Sequence, residues 1–291
     1  MARFFVDALP DEGAVYSLTG ENAEHAKVLR LRPGEAVSLC DGRGTDCPCN
    51  VEEGLRLRAG KWLPCPAEPG VRVSVWIAFP KGDKAEHVIQ KAVELGAAEI
   101  VLFPSRYCVS RPEGKALGKK LERWQKIAQA AAEQSRRGVI PSVRAAESYA
   151  QALTEAAQAD LPVLFYENES GYSLHDALAE FETLPPCHSE RSEESVPPAG
   201  KRTAGGTGPS APLALRSGRQ VRDISASGGR PMAAPTSISL MTGAEGGFSE
   251  EEIDRAKAAG MKICTLGPRI LRCETAPLAG LTALMFGLGE M

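Results

Sequence analysis

An α/β fold with a parallel sheet, preceded by a small β-rich domain, is the architecture this sequence predicts, and three observations carry it. Near the C-terminus two short β-branched runs, Ser237 to Met241 and Lys262 to Leu266, each lead into a glycine-bearing loop and then into a helix-start signal. Runs this short are poor helices, so each reads as a buried strand that delivers a loop at its carboxyl end. Further back, Val71 to Phe79, Asp83 to Gly96 and Glu99 to Phe103 alternate as strand, helix and strand. That order predicts a βαβ unit with a right-handed parallel crossover. Ahead of both lie about seventy residues of short alternating runs broken by turn clusters.

Taken in order, Arg3 to Val6, Ala36 to Leu39 and Val51 to Leu57 read as strands, with Asp41-Gly42-Arg43-Gly44 as a turn. A short β-barrel is the expectation. Glu21 to Leu31 interrupts it with a helical pattern, Ala23, Ala26 and Leu31 on one side and His25 and Arg30 elsewhere. Pro64 to Gly70 has the composition of a linker, which divides the chain into domains 1–70 and 71–291. In the second domain Asp83 is placed to cap its helix and Gly96 to stop it. Leu117 to Arg136 then reads as a long helix, Leu161 to Tyr166 as a strand and Tyr172 to Thr183 as a short helix. After the last two strands, Ser249 followed by Glu250, Glu251 and Glu252 is a helix start, and Thr275 with Pro277 is another. Two strand-loop-helix units in succession put both loops at the carboxyl ends of a parallel sheet, where such sheets bind ligands.

Pro186 to Pro235 breaks this pattern. Of its 50 residues, 21 are Pro, Gly or Ser and none is aromatic, so it cannot bury enough surface to offset its ordering entropy. It reads as a disordered insertion in a surface loop. Its arginines (Arg191, Arg202, Arg216, Arg219, Arg222 and Arg230) would also suit an RNA-binding tail, although Glu190, Glu193 and Glu194 dilute that charge.

At 291 residues and 43% hydrophobic, the chain can bury a sizeable core, which excludes a disordered protein. Its apolar stretches fall short of the ~18 residues of a membrane span, and acids stand where a signal peptide needs its apolar run. A cytoplasmic protein with no membrane association is expected. With a net charge of −3 and a pI near 5.9, nucleic-acid binding has to come from a local basic patch. The eight cysteines are expected to be reduced thiols. Cys40, Cys47, Cys49 and Cys65 cluster, but Cys47-Pro48-Cys49 is not a zinc knuckle and only His25 is near, so no metal is predicted. His25, His87, His175 and His188 have no metal or triad spacing.

Arg106 to Arg144 is the one strongly basic region, with ten Lys or Arg against Glu113, Glu122 and Glu133. Such an excess is what binding a phosphate backbone requires, although a solvated helix face of Lys and Glu pairs would look similar. In the first C-terminal loop Gly243, Gly246 and Gly247 permit close backbone approach, and Glu245 would repel phosphate, which favours a ligand bearing an amine or hydroxyls. The second loop puts Arg269, Arg272 and Glu274 beside Ile270 and Leu271. Arg272 and Glu274 could form a structural ion pair, or the arginine could stabilise charge on a substrate held by the apolar pair.

These residues carry a resemblance. TGAEGGFSEEE (Thr242–Glu252) with LGPRILRCETAPLAGLTAL (Leu266–Leu284) resembles the knotted SPOUT-type RNA methyltransferases, and within them the ribosomal RNA small subunit methyltransferase E family. KGDKAEHVIQKAVELGAAEIVLFPSRYCVSR and WQKIAQAAAEQSRR are similar to that family's central segments, and RFFV, HAKVLRLRPGEAV and CDGRG to its first domain. The likeness spans the chain except Pro186 to Pro235.

The family implies an N-terminal PUA-like β-barrel that binds RNA, a C-terminal α/β domain with a trefoil knot, and a homodimer. It implies methyl transfer from S-adenosylmethionine to N3 of a uridine in 16S rRNA of the small ribosomal subunit. Carried over by motif, the donor site is Leu240, Thr242, Gly243, Glu245, Gly246, Leu266, Gly267, Ile270, Leu271, Arg272, Glu274, Thr275 and Ala276. RNA is expected at Arg30, Lys81, Arg106, Arg111, Lys126, Arg136 and Arg137. Arg272 is expected to stabilise negative charge on the uracil, with Glu274 or Glu245 orienting groups or taking the N3 proton. Ala244 stands where the family has proline and Cys273 where it has threonine, which would loosen the loop and remove a hydroxyl. Two other readings remain open: a non-catalytic RNA-binding or assembly protein, and a knotted methyltransferase acting on another atom such as the ribose 2′-oxygen.

Overall fold

The computed structural model describes residues 2–183 and 237–291, so the expected insertion at Pro186 to Pro235 lies outside the described residues. The first domain holds β1 (Ala2–Phe5), β2 (Val15–Ser17), α1 (Gly20–Val28), β3 (Ala36–Cys40), β4 (Thr45–Glu52), β5 (Arg56–Ala59) and β6 (Leu63–Pro64). Their six-stranded sheet runs β1-β3-β4-β5-β2, with β6 on β4; β1 is parallel to β3 and the other ladders are antiparallel. Among the described residues no ladder joins β1 to β2, so the expected barrel is an open path of strands. Phe4, Val37, Leu39, Val51 and Leu57 fill its core with the thiols of Cys47 and Cys49. Helix α1 ends earlier than the predicted Leu31 because Arg30 takes a left-handed φ of 53°.

The second domain is built on a parallel sheet of β7 (Arg72–Ala78), β8 (Glu99–Phe103), β9 (Ser142–Ala145), β10 (Leu161–Phe165), β11 (Ser237–Thr242) and β12 (Lys262–Cys264). The strand order is β12-β10-β11-β7-β8-β9, and every ladder is parallel. Sheets buried on both faces need nearly continuous apolar strands, and VWIA of β7 and IVLF of β8 supply them. Around the sheet lie α2 (Lys84–Glu94), α3 (Gly114–Gln134), α4 (Tyr149–Ala156), α5 (Leu174–Thr183), α6 (Glu250–Ala258) and α7 (Ala276–Gly287). Helix α2 buries Ala85, Val88, Ile89, Ala92 and Val93, the 3–4–3–4 spacing of one helical face. Each of its larger side chains contributes about 1.5–3 kcal/mol by leaving water. Gly96 ends α2 at φ 95°, where the Gly96 amide donates to Val93 O and the Ala97 amide to Ala92 O.

Several boundaries differ from expectation. Strand β9 and helix α4 fall between Arg136 and Leu161, where the sequence pattern predicts no element; β9 is only four residues long and half polar. Asp83 and Thr275 do occupy the N-cap positions of α2 and α7, yet neither side chain makes a capping hydrogen bond. Their backbones lack the extended conformation that turns a cap side chain onto the helix (Thr275 has φ −89°, ψ −40°). Ser249 does cap α6, with the full capping box to Glu252. Pro64 to Gly70 is a fastened segment. Cys65 is buried, and Glu68 accepts from the Arg137 side chain and from the amides of Gly138 and Val139. Among the described residues no helix is long and apolar enough to cross a membrane, and no group of three His, Cys, Asp or Glu could hold a metal ion.

Candidate active site

Strands β10, β11 and β12 end side by side, and the loops that follow them enclose a cavity of about 800 Å³. Thr242, Gly243, Ala244, Glu245 and Gly247 form one wall, Thr265 through Cys273 with Ala276 form the second, and Phe165, Tyr166, Glu167, Glu169 and Ser170 contribute a third. The first loop is a tight turn in which the Gly247 amide donates to Ala244 O at 3.0 Å. Gly247 has φ 64°, and a Cβ there would lie 2.1 Å from Glu167 Oε1; a Cβ on Gly243 would lie 2.9 Å from the Gly247 carbonyl carbon. Only glycine fits either position. The second loop turns at Gly267, with φ 102° and its amide on Thr265 Oγ1 at 3.1 Å.

A lysine that sequence reasoning missed joins the two loops. Lys84 Nζ lies 3.0 Å from Glu245 Oε1 of the first loop and 3.1 Å from Glu274 Oε2 of the second. Lys84 is the first residue of α2, where the helix dipole disfavours a cation, so the two carboxylates offset an unfavourable placement. A lysine in a helix's first turn was the available signal. Glu245 also accepts from the Lys81 amide at 3.0 Å. Burial pulls the Glu245 pKa up, but the Lys81 amide, its own amide and Lys84 outweigh that and lower it. The Glu274 carboxyl is held down to about 2 by its own backbone amide, against burial, with help from Cys273 and Lys84. The Cys273 thiol donates to Glu274 Oε2 at 3.2 Å, so this cysteine makes a polar contact of its own.

The expected donor residues divide. Thr242, Gly243, Glu245, Leu266, Gly267, Ile270, Leu271, Arg272 and Ala276 line the cavity, and Glu274 adjoins it through Lys84. Leu240 does not: it is fully buried beneath the loop, its Cδ1 packed toward Gly280. Gly246 faces Tyr107, and Thr275 is outside the lining because its amide closes a turn onto Arg272 O. Arg272 is 83% exposed at the mouth, 3.9 Å from Glu274 Oε1, and Ile270 is 84% exposed. Phe165, Tyr166, Glu167 and Glu169 were missed as well, because the end of β10 and the loop after it have no glycine pattern to mark them.

The expected RNA residues divide too. Arg30, Lys81, Lys126 and Arg136 are exposed. Arg106 pairs with Glu251, and Arg111 donates to Ser105 O and Arg106 O, both beside a smaller cavity of about 300 Å³. Arg137 is not on the surface. Its side chain is 4% exposed, it pairs with Glu68 at 2.7 Å, and it donates to Val93 O and Ala97 O, since it sits where the α3–β9 turn meets the first domain.

Two loops meeting at strand ends over a glycine-lined cavity agree with what comparison with known proteins finds. Residues 67–189 and 217–285 match an RNA methyltransferase domain family, and residues 18–54 match an RNA methyltransferase PUA domain. The chain belongs to this RNA methyltransferase family. It is 31% identical over 287 residues to ribosomal RNA small subunit methyltransferase E of Mycobacterium tuberculosis (strain CDC 1551 / Oshkosh), covering 97% of this chain and 90% of that protein. To the protein of the same name from Bacillus subtilis (strain 168) it is 29% identical over 294 residues, covering 98% and 96%. In three dimensions it is similar to ribosomal RNA small subunit methyltransferase E from Neisseria gonorrhoeae bound to S-adenosyl methionine, with TM-score 0.68, 26% identity and coverage of 98% and 97%.

Proposed function

We propose that the chain methylates 16S rRNA of the small ribosomal subunit, using S-adenosylmethionine as donor and N3 of a uridine as acceptor. The observation that carries this reading is the glycine-lined cavity between the two strand-end loops, joined by Lys84 to Glu245 and Glu274. Its residues fit the donor. A volume near 800 Å³ is within the range of small-molecule sites, bare backbone at Gly243, Gly247 and Gly267 admits close approach, and Leu266, Leu271 and Phe165 offer apolar walls. Thr242, Gly243, Glu245, Leu266, Gly267, Ile270, Leu271, Arg272 and Ala276 would hold it. When bound, S-adenosylmethionine supplies an electrophilic sulfonium methyl group.

Uridine N3 carries a proton that must leave as the methyl arrives. A carboxyl held near 2 is a weak base, so Glu274 is assigned to orienting Lys84 and Arg272, and the N3 proton passes to solvent water at the mouth of the cavity. Arg272, exposed at the mouth, stabilises the negative charge that spreads to the uracil oxygens. RNA is held at Arg30, Lys81, Arg106, Arg111, Lys126 and Arg136. Replacing Arg272 with Ala is expected to lower turnover by about a hundredfold and to weaken donor binding by less than that. Unchanged turnover removes Arg272 from the mechanism.

The same reading includes a trefoil knot, which places the two loops against each other; β11 lies between β7 and β10 while β12 flanks β10 on the far side. It includes a homodimer, supported by α7, where Phe286 is 75% exposed beside Thr282 and Ala283. Action on a ribosomal subunit sets the protein in the cytoplasm.

The deciding experiment incubates the protein with unmethylated small subunits and labelled S-adenosylmethionine, then maps the labelled nucleoside. 3-Methyluridine is the expected product. Ribose 2′-O-methylation overturns the acceptor, and bound RNA without incorporated label favours a non-catalytic assembly protein.

A further inference from the structure

Glu167 stands two residues beyond Phe165, the last residue of β10, and lines the large cavity. Its carboxylate rests against the backbone of the first loop, in the space that a Cβ on Gly247 would occupy. The other acids of this cavity are engaged. Glu245 and Glu274 hold Lys84, and Glu169 Oε1 accepts from the amides of Ser170, Gly171 and Tyr172. Among the described residues Glu167 has no hydrogen bond and no ion pair, so its charge is free to act on whatever fills the cavity.

A free anion on the wall of a partly enclosed cavity raises the affinity for a cation. The methyl donor is one: its sulfonium and ammonium outweigh its carboxylate by one positive charge. Its thioether product has lost the sulfonium charge and is neutral overall. The two molecules share every other recognition group.

Resting on the methyltransferase reading above, we infer that Glu167 is a further donor-binding residue that selects the charged donor over its neutral product. The acid then favours loading of the donor and, once the methyl has gone, no longer favours what remains. A side chain at position 247 would displace this carboxylate from the loop.

Calorimetric titration of the full chain and of Glu167→Gln with S-adenosylmethionine and with S-adenosylhomocysteine tests this. The variant is expected to bind the donor about tenfold more weakly, the scale of one unit-charge interaction across several Å in a half-solvated site, and the product within about twofold. Glu167→Asp keeps the charge and is expected to recover part of the preference, and thermal melting reports whether either variant is folded. Equal losses for both ligands overturn the inference, because Glu167 would then hold a group they share. So does unchanged donor affinity. A wild-type chain that binds neither molecule sinks the methyltransferase reading itself, which is a different result from either.

Discussion

The cavity between the two glycine loops and the basic stretch from Arg106 to Arg144 both attract attention in the sequence, and the structure treats them in opposite ways. In the cavity, function is carried by backbone: glycines at positive φ and turns closed by amide hydrogen bonds. Of its charges, Lys84 pairs with Glu245 and Glu274, and Glu169 is held by backbone amides. In the basic stretch, function depends on side chains, and many are already committed. Arg123 pairs with Glu86, Arg144 with Glu99 and Glu155, Arg106 with Glu251, and Arg137 with Glu68. A loop motif therefore locates a site, whereas a count of positive charges overstates a surface.

The sharpest break of this comparison uses two adjacent arginines. Arg137→Ala leaves Glu68 half-buried without its partner and removes donors from Val93 O and Ala97 O, which is expected to cost about 3–5 kcal/mol of stability by chemical denaturation. Arg136→Ala, at an exposed neighbour with φ 63°, is expected to change stability by less than about 0.5 kcal/mol and to weaken RNA binding instead. Equal effects would mean that burial does not separate the two. Next in size, Gly247→Ala puts a Cβ against Glu167 at positive φ. A cost of roughly 1–3 kcal/mol in the loop is expected to lower donor affinity by about ten- to a hundredfold in calorimetry, with RNA binding by filter assay unchanged.

What was legible in the sequence follows the same division. The β7-α2-β8 unit and the strands before the two loops were readable because local periodicity specifies them: the apolar face of α2 repeats at helical spacing, and Ser249 signals a helix start. Strand β9 was not, since its polar-apolar alternation runs for only four residues, too short to stand out from the loops around it. The site was half readable. Positions in the glycine loops were found by motif, but Leu240 was assigned to the cavity although its side chain points into the core, and Gly246 although it serves Tyr107. Lys84 of α2 and Glu167 and Glu169 of the β10 loop lie more than seventy residues away from the motif, and only the strand order brings them in. Arg137 was misplaced because whether a charge is buried depends on the surface that meets it, which no local pattern encodes.

The smallest expected effect tests how closely the cavity's charges are tied together. The Cys273 thiol is pushed up to about 12 by burial, then by its hydrogen bond to Glu274 and the charge of Glu245, with Lys84 pulling the other way. A free thiol near its ordinary value has an appreciable thiolate fraction at pH 8, and only the thiolate reacts with iodoacetamide. Cys273 is half-buried rather than fully buried, so access does not by itself protect it. Peptide mapping after timed alkylation at pH 8 should therefore find Cys273 modified at least tenfold more slowly than a cysteine in an unstructured peptide. Glu274→Gln removes the negative charge that disfavours a thiolate beside it and leaves Lys84 nearby at 3.6 Å, so the thiol pKa falls and alkylation speeds up. A rate unchanged by Glu274→Gln would mean that burial alone protects the thiol and that the Glu274 charge does not reach it.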